Sequence, residues 1–400
     1  MTKFRGRHAI ATALVAALLG VVVPHASAST MAAATGPPTN NAIAPDPDVC
    51  TRPNASCADP DLSLSTGVAF HVWAYRTHAD MAKALDLMAN AGIRWVRIDM
   101  SWRALFPQRD QVDTGFADDL DFALTHATGD GMRVLSVLLD TPPWAAADGS
   151  SGASPPKDAS DFGTFAGWVA ANFGDRIDAY EIWNEPNSTG FFTGTVSDYA
   201  ALLQAAYGQI KQWDLLGNTV VVGGLTYNDV SWLTKLYESS ETIDLYFDVV
   251  GVHPYPSPAD IAPECPATTM WRISAIDWMR QVMLRYDDPT TPIWITELGW
   301  SSHPNLASAP NWQLGVTEEQ QADFAVRALN FIAGHFPYVK KTFWYDASDS
   351  TIDYADAALR LHENNFGLLH RDLTPKPAYL AVKNYLADGT VPAQTGGHCS

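Results

Sequence analysis

Tyr180-Glu181-Ile182-Trp183-Asn184-Glu185-Pro186-Asn187 is the stretch on which the fold turns. It reads as a short strand ended by Pro186, whose nitrogen has no hydrogen with which to continue a ladder. Alternation along a strand puts Glu181, Trp183 and Glu185 on one face and Ile182 on the other. Glu185 then stands at the lip of the strand's C-terminal end, with Asn184 beside it to hydrogen-bond a ligand. A second stretch, Ile293-Trp294-Ile295-Thr296-Glu297-Leu298-Gly299-Trp300, ends in the same way and presents Glu297. Two carboxylates on two strand ends suit an α/β architecture that gathers its chemistry at that end.

Outward from these two stretches, strand-like and helix-like segments alternate from Leu62 onward, the mark of βα units and a parallel sheet. The strands read as Gly67–His71, Trp95–Asp99, Val134–Asp140, Ala179–Trp183, Val220–Gly224, Val249–His253, Ile293–Glu297 and Thr342–Trp344. Between them lie amphipathic helices such as His78–Ala91, Ser197–Trp213 and Thr317–Phe336, the last opening with the capping-box pattern Thr317-Glu318-Glu319-Gln320. Eight such repeats predict a (β/α)8 barrel over residues 62–390, a single catalytic domain, with 29–61 a linker or arm and 391–400 a tail. A dinucleotide-binding sheet would need a glycine-rich turn after the first strand, and Phe70-His71-Val72-Trp73 offers none.

Parity along the strands sorts inward from outward residues. Val68, Phe70, Val96, Ile98 and Met100 form apolar rows that should meet the helices. The opposite rows are small or polar: Gly67, Ala69, His71; Arg97, Asp99; Gly251, His253, Tyr255; Ile295, Glu297; Thr342, Trp344. A barrel serving structure alone would carry Val, Ile and Leu there. Glu185 and Glu297 fit the acid and nucleophile of glycosidic cleavage, which needs one carboxylic acid at the leaving oxygen and one carboxylate at the anomeric carbon. Glu181, two residues deeper, is expected to be a buried carboxylate paired with Arg94 or Arg97. Arg97 is also placed to keep a nucleophile ionised, since a nearby cation lowers a carboxyl pKa. His253, Tyr255 and His71 are candidates for the same pocket, with Tyr255 set to hydrogen-bond Glu297. Trp102, Trp144, Trp300 and Trp344 follow or end strands. Indole faces suit sugar rings, although core packing explains many tryptophans. Inward parity makes Trp344 the expected sugar platform.

Length and composition suit a globular chain with a large core. A formal charge of −19 argues against nucleic acid as a partner. Lys3, Arg5 and Arg7, the apolar run Ile10–Val23 and Ala26-Ser27-Ala28 read as a secretory signal peptide over 1–28, so a secreted, extracellular protein without membrane attachment after cleavage is expected. In an oxidising compartment the four cysteines should pair, Cys50 with Cys57 and Cys265 with Cys399 being preferred among three possibilities. Their spacing matches no zinc motif. No metal and no cofactor is expected, and the chain should be monomeric. The sequons at Asn54 and Asn187 are too common a pattern to weigh.

Glu181-Ile182-Trp183-Asn184-Glu185-Pro186-Asn187 together with Trp294-Ile295-Thr296-Glu297-Leu298-Gly299-Trp300 resembles the clan A glycoside hydrolases, most closely family 39. Arg97, His253, Tyr255 and Trp344 match that clan's pattern too. The resemblance covers about residues 62–390. It implies retention of anomeric configuration by double displacement, with Glu185 as acid/base and Glu297 as nucleophile. Family 39 xylosidases usually carry an extra β-sandwich, so the chain is nearer the compact single-barrel members, some of them endo-acting. A poly- or oligosaccharide, β-linked, is the expected substrate. An arabinose- or galactose-directed enzyme of the same clan and a catalytically silent carbohydrate-binding barrel are the alternatives.

Overall fold

The computed structural model describes residues 64–400 except 151, 214–216, 393 and 400. The signal segment, the arm and the Cys50–Cys57 pair lie outside the described residues. Among those described, eight parallel strands close into a barrel in sequence order: β1 Ser65–Phe70, β2 Trp95–Ser101, β3 Arg133–Leu139, β4 Ala179–Ile182, β5 Thr219–Thr226, β6 Val249–His253, β7 Ile293–Leu298 and β8 Val339–Trp344. Closure comes from β1, which pairs with β2 on one side and β8 on the other.

The helices are α1 His78–Asn90, α2 Trp102–Leu105, α3 Thr114–Gly129, α4 Ala159–Phe173, α5 Val196–Trp213, α6 Val230–Glu238, α7 Ile276–Arg285, α8 Glu318–His335, α9 Ala357–Glu363 and α10 Pro377–Asp388. Their starts are written in the sequence. Thr77, Asp113, Asp158 and Asp229 each accept from a backbone N–H of the helix they precede. Thr317 and Gln320 complete a reciprocal capping box at α8. Among the described residues no helix is long and apolar enough to cross a membrane.

Two apolar layers result. Val68, Phe70, Val96, Ile98, Ile182, Val250 and Val252 face outward into the layer shared with the helices. Inside the barrel, Trp95, Leu135, Ala179, Val221, Val249, Trp294 and Phe343 pack on one another and plug the N-terminal end. Gly67 makes room for this plug, because a Cβ there would overlap the Phe343 ring. That end is filled mostly by rings, with the Lys341 ammonium over the Trp95 and Trp294 faces, and the other inward polar side chains gather at the C-terminal end.

The expected parity fails on β7 and β8. Ile295 points outward into the helix layer, and Trp294 and Thr296 point inward. The β7–β8 register shifts between Ile293 and Trp294 and again between Ile295 and Leu298. These irregularities break strict alternation, so Thr296 and Glu297 both reach the interior. On β8 the inward residue is Phe343, and Trp344 lies outside. Trp183 also leaves its predicted row. Its backbone turns into the left-handed region (φ 70°), and its indole packs on Phe162 and Phe192 outside the barrel.

The tail returns to the barrel. A disulfide joins Cys265, in the loop after β6, to Cys399, with Cα atoms 5.2 Å apart. Arg327 of α8 holds Glu264 and the carbonyl of Gly396 beside it.

Candidate active site

Arg97, inward on β2, is the hub. Its Nε donates to Glu181 Oε2 at 2.7 Å, Nη1 to Glu297 Oε1 at 2.6 Å and Nη2 to Asn184 Oδ1 at 2.8 Å. The guanidinium thus binds two carboxylates and an amide from β4, β7 and the β4 loop. Burial works against its charge, but Glu181 and Glu297 outweigh that and hold the proton more firmly than usual. Arg94 is not the partner of Glu181.

Glu297 has a second support. Tyr255 Oη donates to its Oε2 at 2.9 Å. Burial and then the charge of Glu297 push the phenol well above its ordinary value, so Tyr255 stays a donor. Glu185 is held from the other side, its Oε1 2.9 Å from His253 Nδ1. The backbone at Glu185 is left-handed (φ 44°), a conformation that L-residues seldom adopt. Asn187 fixes that turn by exchanging hydrogen bonds with the Thr226 backbone, donating at 3.0 Å and accepting at 2.9 Å. Its amide also donates to Asp229, so the Asn187 sequon presents a side chain already in use.

A chain of hydrogen bonds connects the two carboxylates. Thr296 Oγ1 donates to Glu181 Oε1 at 2.7 Å. Its single hydrogen is thereby used, and its oxygen accepts from His253 Nε2–H at 3.0 Å. Burial works against a charged His253, but Glu297 and Glu185 overcome it, and the imidazole's pKa is raised. The backbone N–H of Gly224 donates to Glu181 Oε1 at 2.8 Å. Only glycine fits there, since a Cβ would strike the His253 ring and the Thr296 hydroxyl. Glu185, His253 and Glu297 offer ligand-type atoms within 4.8 Å of one another. A metal cation among them would lie against the Arg97 guanidinium, so the set reads as an acid–base group.

Of the other predicted residues, His71 is in the pocket and the tryptophans are not. His71 Nδ1 lies 2.5 Å from Asp99 Oδ2, and its Nε2 lies 3.7 Å from Asp346. Trp344 is a correction. Its indole N–H donates to the Phe366 carbonyl, and its ring stacks on Trp300 in the helix layer. The inward row of β8 continues through Phe343 to Tyr345, whose ring meets His71 and Tyr255 edge-on. Trp300 is likewise core, donating to the Ile261 carbonyl against Phe324. Trp144 donates to the Phe106 carbonyl, packs on Trp102 and carries the Arg109 guanidinium over its face. The exposed indole beside the pocket is Trp73, stacked on His71 with ring centroids 5.0 Å apart.

Three carboxyl groups near the pair were missed by sequence reasoning. Asp99 sat in the inward row of β2, yet only Arg97 was singled out from it. Asp346 follows Tyr345, beyond the last predicted strand. Burial pushes Asp346 up to about 7, partly opposed by His71. Glu363, the last residue of α9, is also raised to about 7, by burial and then by Glu297 and Glu185. Nothing in the sequence around Glu363 signals that α9 returns to the barrel mouth.

The model of the cellulase family (glycosyl hydrolase family 5) matches residues 58–332. None of the curated proteins compared matches the chain. Among solved structures, a family 39 glycoside hydrolase from Bacteroides cellulosilyticus WH2 is similar at 20% identity, TM-score 0.62. The alignment covers 82% of this chain and 64% of that one, so the chain spans under two thirds of that protein's length. A GH5_18 from Streptomyces cattleya, solved in complex with GlcNAc, has 17% identity and TM-score 0.60, covering 83% of this chain and 82% of that one. The GH39 enzyme from Xanthomonas axonopodis pv. citri has 17% identity and TM-score 0.58, covering 82% and 67%. At these identities the structures speak to the barrel, and the family match speaks to the clan A resemblance.

Proposed function

Because the chain belongs to the cellulase family (glycosyl hydrolase family 5) and is an O-glycoside hydrolase of clan A, we propose that Glu185 is its acid/base and Glu297 its nucleophile in a double displacement on a β-linked poly- or oligosaccharide. The observation that carries this reading is the difference in how the two carboxyls are held. Glu297 takes hydrogen bonds on both its oxygens, from the Arg97 guanidinium and the Tyr255 hydroxyl. Glu185 instead faces an imidazole, through which a proton can be held or passed. Their oxygens come within 4.8 Å, compatible with the separation of about 5–5.5 Å typical of retaining enzymes, too short for a water to attack from between.

In this reading Glu185 protonates the leaving oxygen as Glu297 attacks the anomeric carbon. The glycosyl–Glu297 ester removes one negative charge beside Glu185, which then takes a proton from the incoming water. The signal segment makes export part of the same proposal, with the sugar polymer met outside the cell.

The test is the first-formed product. Proton NMR during turnover should show the substrate's anomeric configuration retained. Glu297→Ala should lose turnover by several orders of magnitude, and azide should restore a product of inverted configuration. Glu185→Ala should spare the first step only for substrates with good leaving groups. Inversion by the wild-type enzyme would remove Glu297 as nucleophile. Binding of oligosaccharides without any turnover would favour the silent barrel.

A further inference from the structure

Opposite the acid/base stands a group that the proposed chemistry does not use. Three neighbouring strands supply it. His71 follows β1, Asp99 lies inward on β2 and Asp346 follows β8. His71 Nδ1 is engaged by Asp99, but its Nε2 is buried without a hydrogen-bond partner among the described residues. Leaving such a group unpaired is costly, so a buried orphan calls for a partner. Asp346 Oδ2 is 3.7 Å from it, too far for a hydrogen bond and near enough for one hydroxyl to touch both. Asp346 is itself held by the backbone N–H of Ala347 through Oδ1, leaving Oδ2 turned to this gap. An N–H beside a carboxylate oxygen matches a hydroxyl, which accepts from one and donates to the other.

The wall's position identifies which sugar would meet it. Tyr255 donates to Glu297, and the ring of Tyr345 meets both Tyr255 and His71 edge-on, so the wall adjoins Glu297. The sugar that stays on Glu297 during turnover therefore lies along this wall. Tyr345 and the exposed indole of Trp73 flank His71 and continue the wall upward with aromatic faces.

Charge limits what the wall admits. Arg97 is already shared among Glu181, Glu297 and Asn184. His71 lies between two carboxylates. Glu297, beyond Tyr345 and Tyr255, is the next acidic group on from these two. His253 in turn faces Glu185 and Glu297, so among these three basic groups each already stands against carboxylates of the protein and none is left over for a carboxylate on the sugar. Resting on the glycosidase reading above, we propose that Asp99, His71 and Asp346 form a hydroxyl-recognition wall for the glycone, specific for a neutral sugar and closed to uronic acids.

The experiment uses the full chain on matched nitrophenyl β-glycosides and, for internal cleavage, on matched neutral and uronic oligosaccharides. The best neutral substrate, its 6-carboxylate counterpart and its 3- and 4-deoxy analogues are compared by kcat/KM. The wild-type enzyme should favour the neutral sugar over the uronide by at least 100-fold. One deoxy analogue should lose on the order of 10- to 100-fold, as for a hydrogen bond to a charged group. Asp346→Asn and His71→Gln should lose a similar factor on the parent substrate and little on that analogue. Equal turnover of uronide and neutral sugar, or equal losses in the variants on parent and deoxy substrates, would overturn the proposal. The uronide and deoxy comparisons need only the wild-type enzyme, so a poorly folding variant does not decide the matter. A wild-type enzyme silent on every glycoside fails the hydrolase reading and this one together. Turnover that ignores the ring hydroxyls fails this one alone.

Discussion

Arg97 shows how one side chain serves both stability and chemistry. It neutralises Glu181, which has no access to water, and it holds Glu297 at the surface of the pocket. Arg97→Met should therefore cost about 3–5 kcal/mol in denaturant unfolding, because it strands a buried carboxylate. Adding Glu181→Gln should recover part of that loss. A single variant as stable as wild type would show that the buried Arg97–Glu181 pair is dispensable for stability. Asp346 gives a pH-dependent prediction. Burial lifts it from 3.8 to about 7. The folded protein then keeps a proton that the unfolded chain has already released, so this contribution to stability is complete below about pH 4 and lost as pH rises to 7. His71, raised from 6.5 to about 9 by Asp99 and Asp346 against its burial, acts with the same sign between those values. The unfolding midpoint should fall from pH 4 to 7, and Asp346→Asn should flatten that slope. An unchanged slope in the variant would mean that Asp346 titrates normally. At this scale the sequence was legible where a residue sat on a regular strand, as with Arg97 and His253, or just beyond its end, as with Tyr255. It misled at Trp344, because its inward or outward direction depends on a register that the β8 sequence does not mark.

At the scale of elements, the strands were legible because each is a short apolar run bounded by turns, and the helices because their caps are explicit. Thr317→Ala removes the side-chain half of the α8 capping box and should cost about 1 kcal/mol without changing kcat. Thermal unfolding beside an activity assay checks both halves of that statement. Gly224→Ala is the opposite case. Its Cβ has no space between His253 and Thr296, so turnover should fall at least tenfold even if the barrel still forms. Wild-type activity in that variant would show that β5 can yield. What could not be read was β7. Its two register shifts depend on how β8 lies beside it, a relation between segments more than forty residues apart in the chain. Glu297 was found through its motif while its assumed alternation was wrong, since Ile295 faces the helices and Thr296 the interior.

At the scale of the whole molecule, the rings inside the barrel, the carboxylates above them and the tail form a vertical order. Phe343, Trp95 and Trp294 seal one end, and Arg97 binds the lowest polar layer on top of them. The disulfide between Cys265 and Cys399 spans 134 residues. Removing it with Cys399→Ser should reduce stability by roughly 4–5 kcal/mol in the chain-entropy view. Non-reducing calorimetry of the variant against wild type measures this, and an unchanged midpoint would mean that the tail's hydrogen bonds to Arg327 and Asp323 suffice.

The same bond changes how the molecule answers to force. A pull on the C-terminus enters Cys399 and passes through sulfur to Cys265. Everything between them, including β7, β8 and the helices beside them, is left slack in the load path. Roughly 450 Å of contour length is thereby withheld from extension, at about 3.4 Å per residue. Stretched by its ends, the oxidised chain should stop short by that amount and release it when a reductant is added.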